Sequence, residues 1–260
     1  MHNITTIDLV ATTQGLDAAD TIATHTANTW QPRRSSAEKT RDTRVGKLAE
    51  DALALYLHNV GIAYRSWDDI RTDGFRQHAP LDGFIARSDA VHILHHARFT
   101  AAANKAQQQT CFELEFVEKC ENYGLYGVEV KSTRIGPRHR DRAGRVDVQR
   151  ILRDDFLQYP EVRSGHLDNG LRRKLLTPAC LERIAQRTPF FLIRVYIEQL
   201  SISTYRAYLI GYLTRDQFFT SPQLTVKSMP RAGKSERAIY YAVSLQQGMP
   251  MDRLQEFVQN

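Results

Sequence analysis

The residues best suited to chemistry lie in two short segments, one at Asp82 and one at Glu129-Val130-Lys131. Residues i and i+2 of an extended strand point to the same face, so Glu129 and Lys131 would project together with Val130 behind them. Gly83 follows Asp82 and allows a neighbouring backbone to approach closely. Carboxylate oxygens on adjacent strands are ligands that Mg²⁺ prefers, with water and a substrate phosphate completing its coordination. The pattern predicts a site where a metal ion polarises a phosphoryl group and Lys131 orients the attacking water.

The elements that must position these side chains follow from the spacing of apolar residues. Seven of them recur at helical intervals within residues 44–58 and predict an amphipathic helix, which Asn59 and Gly61 would end. They are Val45, Leu48, Ala49, Ala52, Leu53, Tyr56 and Leu57. Alternation and apolar runs predict strands over 62–67, 90–94, 112–117, 127–132, 189–197, 205–214 and 238–245. Further helical regions over 148–159, 171–187 (broken at Pro178) and 251–258 indicate one mixed α/β domain.

Two of these segments resemble a known nuclease signature. Pro80, Leu81 and Asp82, followed by Glu129-Val130-Lys131, resemble the PD-(D/E)xK pattern of restriction-endonuclease-like nucleases, with a leucine inserted in the first half. In that superfamily a helix, a strand, a strand bearing E-x-K, a helix and a strand surround the site, similar to the order predicted from residue 44 to 197. The resemblance covers about residues 44–215. It implies a restriction-endonuclease-like mixed central sheet flanked by helices, with residues 97–122 as an insertion.

The resemblance also assigns roles to individual residues. It implies that Asp82, Glu129 and Lys131 form the catalytic group. It also implies a set of Mg²⁺ ligands, with Mn²⁺ able to substitute for Mg²⁺: Asp82, Glu129, Val130 and Glu50. Glu50 lies on the predicted helix, one turn before Leu53, at the position where the superfamily often carries an acidic residue. Asp73 and Asp89 remain alternatives to Asp82 as the first metal ligand.

The positive charge of the chain is concentrated directly after the E-x-K segment. The chain has 35 Lys and Arg against 29 Asp and Glu, a net charge of +6. Residues 131–153 hold eight of the basic residues against only Asp141 and Asp147, so this stretch accounts for the whole excess. Such a block is typical of a polyanion partner, although a solvated basic loop is the alternative. Five of its arginines are expected to contact DNA phosphates: Arg134, Arg138, Arg140, Arg142 and Arg145.

These observations together predict a metal-dependent endonuclease of double-stranded DNA. The resemblance implies a setting in bacterial restriction or anti-phage defence. Cutting both strands requires two active sites, so a homodimer or a higher symmetric homo-oligomer is expected. Residues 1–43 are interpreted as an arm that packs on the domain or on a second subunit, and residues 44–260 as the nuclease domain.

Other functions remain open from the sequence. A non-catalytic nucleic-acid-binding module would use the same basic surface, and Glu129 and Lys131 would then be a structural ion pair. A latent effector nuclease would need a ligand or oligomerisation for activity. A repair or recombination nuclease acting on DNA ends or branches would differ only in its substrate.

Composition excludes several other classes of protein. With 260 residues, 42% of them hydrophobic and 25% charged, the chain is neither wholly disordered nor a disulfide scaffold. No apolar run approaches the ~20 residues that a membrane span requires. Cys111, Cys120 and Cys180 are odd in number and form no C-x-x-C pair, which favours the reducing cytoplasm.

Overall fold

Residues 4–10, 35–108, 111–160, 166–230 and 237–259 are described by a computed structural model of the chain. The strands are β1 Thr5–Val10, β2 Tyr64–Ser66, β3 Gly83–Ala86, β4 Gln107–Gln108, β5 Cys111–Phe112, β6 Leu125–Arg134, β7 Asp155–Gln158, β8 Phe191–Gln199, β9 Thr204–Thr214, β10 Thr225–Pro230 and β11 Arg237–Ser244. The helices are α1 Ser36–Asn59, α2 Trp67–Ile70, α3 Val91–Leu94, α4 Ala97–Ala106, α5 Leu114–Asn122, α6 Val148–Ile151, α7 Asn169–Leu175, α8 Pro178–Ala185, α9 Arg215–Phe219 and α10 Asp252–Gln259. Among these described helices, none is long and apolar enough to cross a membrane.

A mixed six-stranded sheet forms the centre of the protein, in the order β1-β9-β8-β6-β3-β2. Strands β6 and β8 are parallel and place Lys131 opposite Arg194. The other neighbours in this sheet are antiparallel. Parallel neighbours need a long crossover, and here it contains α6, β7, α7 and α8. The predicted α/β class, with a mixed sheet flanked by helices, is confirmed.

Helix α1 packs on one face of this sheet. The Ser35 hydroxyl accepts from the Glu38 amide, and the Glu38 carboxylate accepts from the Ser35 amide, which forms a capping box. The helix therefore begins at Ser36, earlier than predicted, and Gly61 with φ of 73° follows its end. Its apolar stripe, including Leu53 and Leu57, is buried against β6 and β8.

The two faces of β8 belong to different hydrophobic cores. Ile193 and Val195 face α1, whereas Leu192 and Tyr196 face a second core. That second core lies under a three-stranded sheet of order β10-β11-β7 and under α7, α8 and α9. Strand β8 is covered on both sides, which explains why its sequence is nearly continuously apolar.

Part of the predicted N-terminal arm belongs to the domain. Residues 5–10 form β1, which pairs antiparallel with β9 at the edge of the central sheet. Residues 36–43 lie within α1. The remainder of the arm, residues 1–3 and 11–34, lies outside the described residues.

Three predicted elements are wrong in type. Residues 90–94 lie in a helical turn and α3, and residues 113–117 leave β5 and enter α5. In α5, Phe116 and Cys120 are one helical turn apart and pack into a third core with Phe84 and Phe112. The spacing over residues 112–117 fits both periods, and packing selects the helix. Residues 148–159 are helical only in α6 and continue as β7, whose Phe156 enters the second core.

Two glycines test how closely the backbone must pack. At Gly211, with φ of 151°, an added Cβ would lie 2.4 Å from the Met249 carbonyl oxygen, whereas at Gly46 in α1 nothing lies within 4 Å. We expect Gly211→Ala to lower the free energy of unfolding by about 1–3 kcal/mol. Gly46→Ala should raise it by about 0.5–1 kcal/mol through helix propensity. Urea denaturation of both variants measures this, and equal effects would contradict the packing described.

Candidate active site

Strands β3 and β6 bring Asp82 next to the E-x-K segment. Asp82 directly precedes β3, where Gly83 pairs with Val128. The amide of Asp82 donates to the Val128 carbonyl oxygen at 2.9 Å. In return, the amide of Val130 donates to Oδ2 of Asp82 at 2.6 Å. These two bonds hold the Asp82 carboxylate beside Glu129 and Lys131, across a long separation in sequence.

Glu129 and Lys131 lie together on one face of β6, as their spacing predicts. Nζ of Lys131 forms an ion pair with Oε1 of Glu129. Val130 points the other way and packs against the core under α1. The side chains of Glu129 and Lys131 are 19% and 34% exposed, so both are partly shielded yet reachable from solvent.

Glu50 lies on α1 and reaches the same neighbourhood from the other side of Asp82. Its carboxylate is paired with Lys47, whose ammonium also pairs with Asp68. Burial raises the pKa of Glu50 well above its usual value, and the charges of Asp82 and Asp68 add to this while Lys47 opposes it. Glu50 is therefore close enough to Asp82 for their charges to interact, but its nearest partner is Lys47.

The protonation states follow from burial and from the neighbouring carboxylates. Burial, and then the negative charge of Glu129, raise the pKa of Asp82 to about 7, against the opposing effects of the Val130 amide and the two lysines. Burial disfavours the charged form of Lys131, but Glu129 and Asp82 outweigh it and raise the pKa of Lys131. Lys131 is therefore an ammonium at neutral pH, suited to stabilising negative charge rather than to removing a proton.

The alternatives to Asp82 are held elsewhere. Asp73 accepts two hydrogen bonds from Arg71, at 2.7 and 3.0 Å, and one from the Gln77 amide. Asp89 is bound by Arg87 in the same bidentate way. Asp82 is thus the acid that the structure places in contact with the E-x-K strand.

The donor set fits a hard divalent cation. Asp82 and Glu129 are two carboxylates whose mutual repulsion a cation would relieve, and the main chain of Val130 lies between them. Within the described residues, no group of three or more His, Cys, Asp or Glu side chains is arranged to hold a metal. Mg²⁺ is commonly bound by one or two carboxylates plus water and substrate phosphate, so the carboxylate pair is compatible with it.

Several residues near the site belong to no sequence motif and could not be predicted from one. The Tyr64 hydroxyl donates to the Asp82 carbonyl oxygen at 3.1 Å, and its ring fills the space that a side chain at Gly83 would need. Tyr159, just after β7, is close enough to Lys131 to favour its charged form. Its hydroxyl is 2.8 Å from that of Tyr240. The glycine at position 83 is the one signal in the sequence that indicates the close packing of the Tyr64 ring.

The five predicted DNA-contacting arginines lie at the end of β6 and in the loop that follows. Arg134 and Arg142 are exposed, and the guanidinium of Arg134 donates to the side chain of Gln199. The other three have carboxylate partners: Arg138 with Asp154 at 3.0 Å, Arg140 with Glu198 at 2.8 Å and Arg145 with Asp141 at 3.0 Å. Strand β6 thus leads from the acidic pair directly into a basic surface.

Comparison with known proteins does not indicate a function. No protein-family model, curated protein or solved structure matches the chain. We therefore infer function from the arrangement of side chains.

Replacing Asp82 should reveal the cost of holding its charge in a buried position beside Glu129. Folding raises the pKa of Asp82 from 3.8 to about 7, so the folded protein binds this proton more tightly, and ionisation destabilises it as the pH rises through that interval. Asp82→Asn keeps an acceptor for the Val130 amide. In EDTA it should stabilise the protein on the order of 1–3 kcal/mol at pH 8, and by less as the pH falls toward 4.

Chemical denaturation at several pH values measures this difference. Asp89→Asn is the matched control, because Arg87 lowers the pKa of the exposed Asp89 and the substitution should give no gain at any pH. A gain for Asp82→Asn that does not change with pH would contradict the assignment.

Proposed function

We propose that this protein is a Mg²⁺-dependent endodeoxyribonuclease that hydrolyses phosphodiester bonds of double-stranded DNA. The observation that carries the proposal is the hydrogen bond from the Val130 amide to Asp82, which sets one carboxylate beside the Glu129–Lys131 pair. The order of elements supports a restriction-endonuclease-like fold: α1, then β2, β3 and β6 as an antiparallel series, then helices, then β8 parallel to β6.

The residues divide the chemistry between them. Asp82 and Glu129, with the main chain of Val130, would hold the ion, and Mn²⁺ should substitute for Mg²⁺. When bound, the ion would polarise the phosphoryl group and lower the pKa of a water molecule. Lys131 is kept charged by the two carboxylates and would stabilise the negative charge that develops on the phosphate. Glu50 would join the ligands only if its ion pair with Lys47 opened.

The basic surface supports a polyanionic substrate. Arg134 and Arg142 are exposed, and Arg145 extends from the same loop with 81% of its side chain exposed. Contacts of these arginines with DNA phosphates would make binding weaken steeply with salt. We further propose a homodimer or a higher symmetric homo-oligomer, because two sites are required to cut both strands. The resemblance adds restriction or anti-phage defence in the bacterial cytoplasm as the setting.

A non-catalytic nucleic-acid-binding module is the second candidate. The closed ion pair between Glu129 and Lys131 favours it, since both charges are already satisfied within the protein. The same closed pair, together with the Lys47–Glu50 pair, would suit a latent nuclease that a ligand or oligomerisation activates.

A plasmid-cleavage assay separates these functions. We expect the protein to cut supercoiled plasmid in Mg²⁺ and not in EDTA. Lys131→Ala and Asp82→Ala should each lower the rate at least 10²-fold, on the order found when a transition-state donor is removed, while DNA affinity is retained. Asp216→Ala, at an exposed site on α9, is the control and should cut normally.

The outcomes assign the function. Cutting that survives Lys131→Ala would refute the proposed site. Salt-dependent binding without cutting under either metal would favour the binding module, and cutting that appears only after a ligand is added would favour the latent nuclease.

A further inference from the structure

A polar cleft of about 430 Å³ lies between the loop after β6 and the segment around α6. Its volume is within the range of small-ligand sites, about 300–1,000 Å³. Six residues, all polar or charged, line it: Arg138, His139, Asp147, Arg150, Arg153 and Asp154. Three guanidinium groups therefore face two carboxylates.

Both carboxylates of the cleft are already engaged by the protein. Oδ2 of Asp154 accepts from the Tyr196 hydroxyl at 2.6 Å and from Arg138 at 3.0 Å. Asp147 accepts from the amide of Arg150 at 3.3 Å and pairs with its guanidinium at 3.2 Å. Arg153 is exposed and has no carboxylate partner within the described part of the chain. The cleft therefore presents positive charge.

The histidine of the cleft is neutral and oriented. His139 is 3% exposed, and its Nδ1 accepts from the Gly136 amide at 3.1 Å. Its Nε2 accepts from Nε of Arg138 at 2.9 Å and lies 3.2 Å from Oδ2 of Asp154. Burial and the charge of Arg138 lower the pKa of His139, so it adds no positive charge to the cleft at neutral pH.

A buried cation lies beside the cleft. Arg194 is 6% exposed, and its guanidinium lies over the ring of Tyr196, 5.1 Å from the centroid. It donates to the Thr133 hydroxyl, but its buried Nε has no hydrogen-bond partner in the described structure, and no described carboxylate pairs with it. Its charge also helps lower the pKa of His139, which places it near that side of the cleft. A buried charge without a counter-ion is costly, and an anion in the cleft would offset that cost.

We propose that this cleft is a second phosphate-binding site, separate from the Asp82–Glu129–Lys131 site. Arg194 lies opposite Lys131 in the parallel pair of β6 and β8, so the cleft and the Glu129–Lys131 pair share one face of the sheet. This placement favours, as the ligand of the cleft, a backbone phosphate of the DNA strand that is held at the Glu129–Lys131 pair. To that extent the inference rests on the proposed function. A free nucleotide offers the same chemistry.

The test compares two double variants of the full chain. Arg150→Gln with Arg153→Gln removes the two cleft guanidiniums on α6 and just after it. Arg172→Gln with Arg173→Gln is the matched control, since both residues are exposed on α7. Fluorescence anisotropy with a short labelled duplex in EDTA, over a range of NaCl concentrations, gives the affinity and its salt slope. Calorimetry with AMP and with inorganic phosphate tests the free ligands.

We expect the cleft variant to weaken duplex binding about 10-fold and to reduce the salt slope by about one, with the control unchanged. Loss of AMP binding with an unaltered duplex slope would also support the site and assign it to a free nucleotide. Binding of duplex, AMP and phosphate that is the same in both double variants would overturn the inference. Thermal unfolding of each variant verifies that it is folded.

The two proposals fail separately in this design. The duplex is bound in EDTA, so a protein that binds it through the cleft but never cuts would refute the nuclease and leave the cleft. A protein that cuts normally, while the cleft substitutions leave its binding of duplex, AMP and phosphate and its salt slope unchanged, would refute the cleft and leave the nuclease.

Discussion

The hydrogen bond from the Val130 amide to the Asp82 carboxylate, 2.6 Å long, is the contact on which the candidate site depends. It joins the residue before β3 to the middle of β6, so the sheet itself sets the spacing of Asp82 and Glu129. Tyr64 on β2 reinforces the position through its bond to the Asp82 carbonyl oxygen, and only a glycine at position 83 leaves room for that ring. A site built on three paired strands is more rigid than one built on loops.

Opposite charges within the site partly offset one another. Burial, and then repulsion by Glu129, raise the pKa of Asp82, while the Val130 amide, Lys131 and Lys47 oppose that shift. The same carboxylates hold Lys131 in its charged form. In the proposed nuclease, a divalent ion would relieve this repulsion and Lys131 would stabilise charge on the phosphate.

The two faces of the central sheet differ in the side chains that they carry. One face packs against α1 through Ile193 and Val195 and stabilises the fold. The other carries Glu129, Lys131 and Arg194 in neighbouring positions before the second core closes over it at Tyr196. Polar groups therefore continue from the acidic pair toward the arginine-lined cleft, and the fold tolerates the buried Arg194 through its contacts with Tyr196 and Thr133.

Local periodicity alone determined the α/β class, the helix before the site, and the shared face of Glu129 and Lys131, because these depend on residues near in sequence. Tertiary structure decided the rest. Asp82, rather than Asp73 or Asp89, meets β6 because strand register pairs Gly83 with Val128. Residues 114–117 turn helical because the helix packs Phe116 and Cys120 together against the third core. Both outcomes depend on contacts between segments that are distant in sequence. A local sequence pattern does not contain the free energies of such contacts.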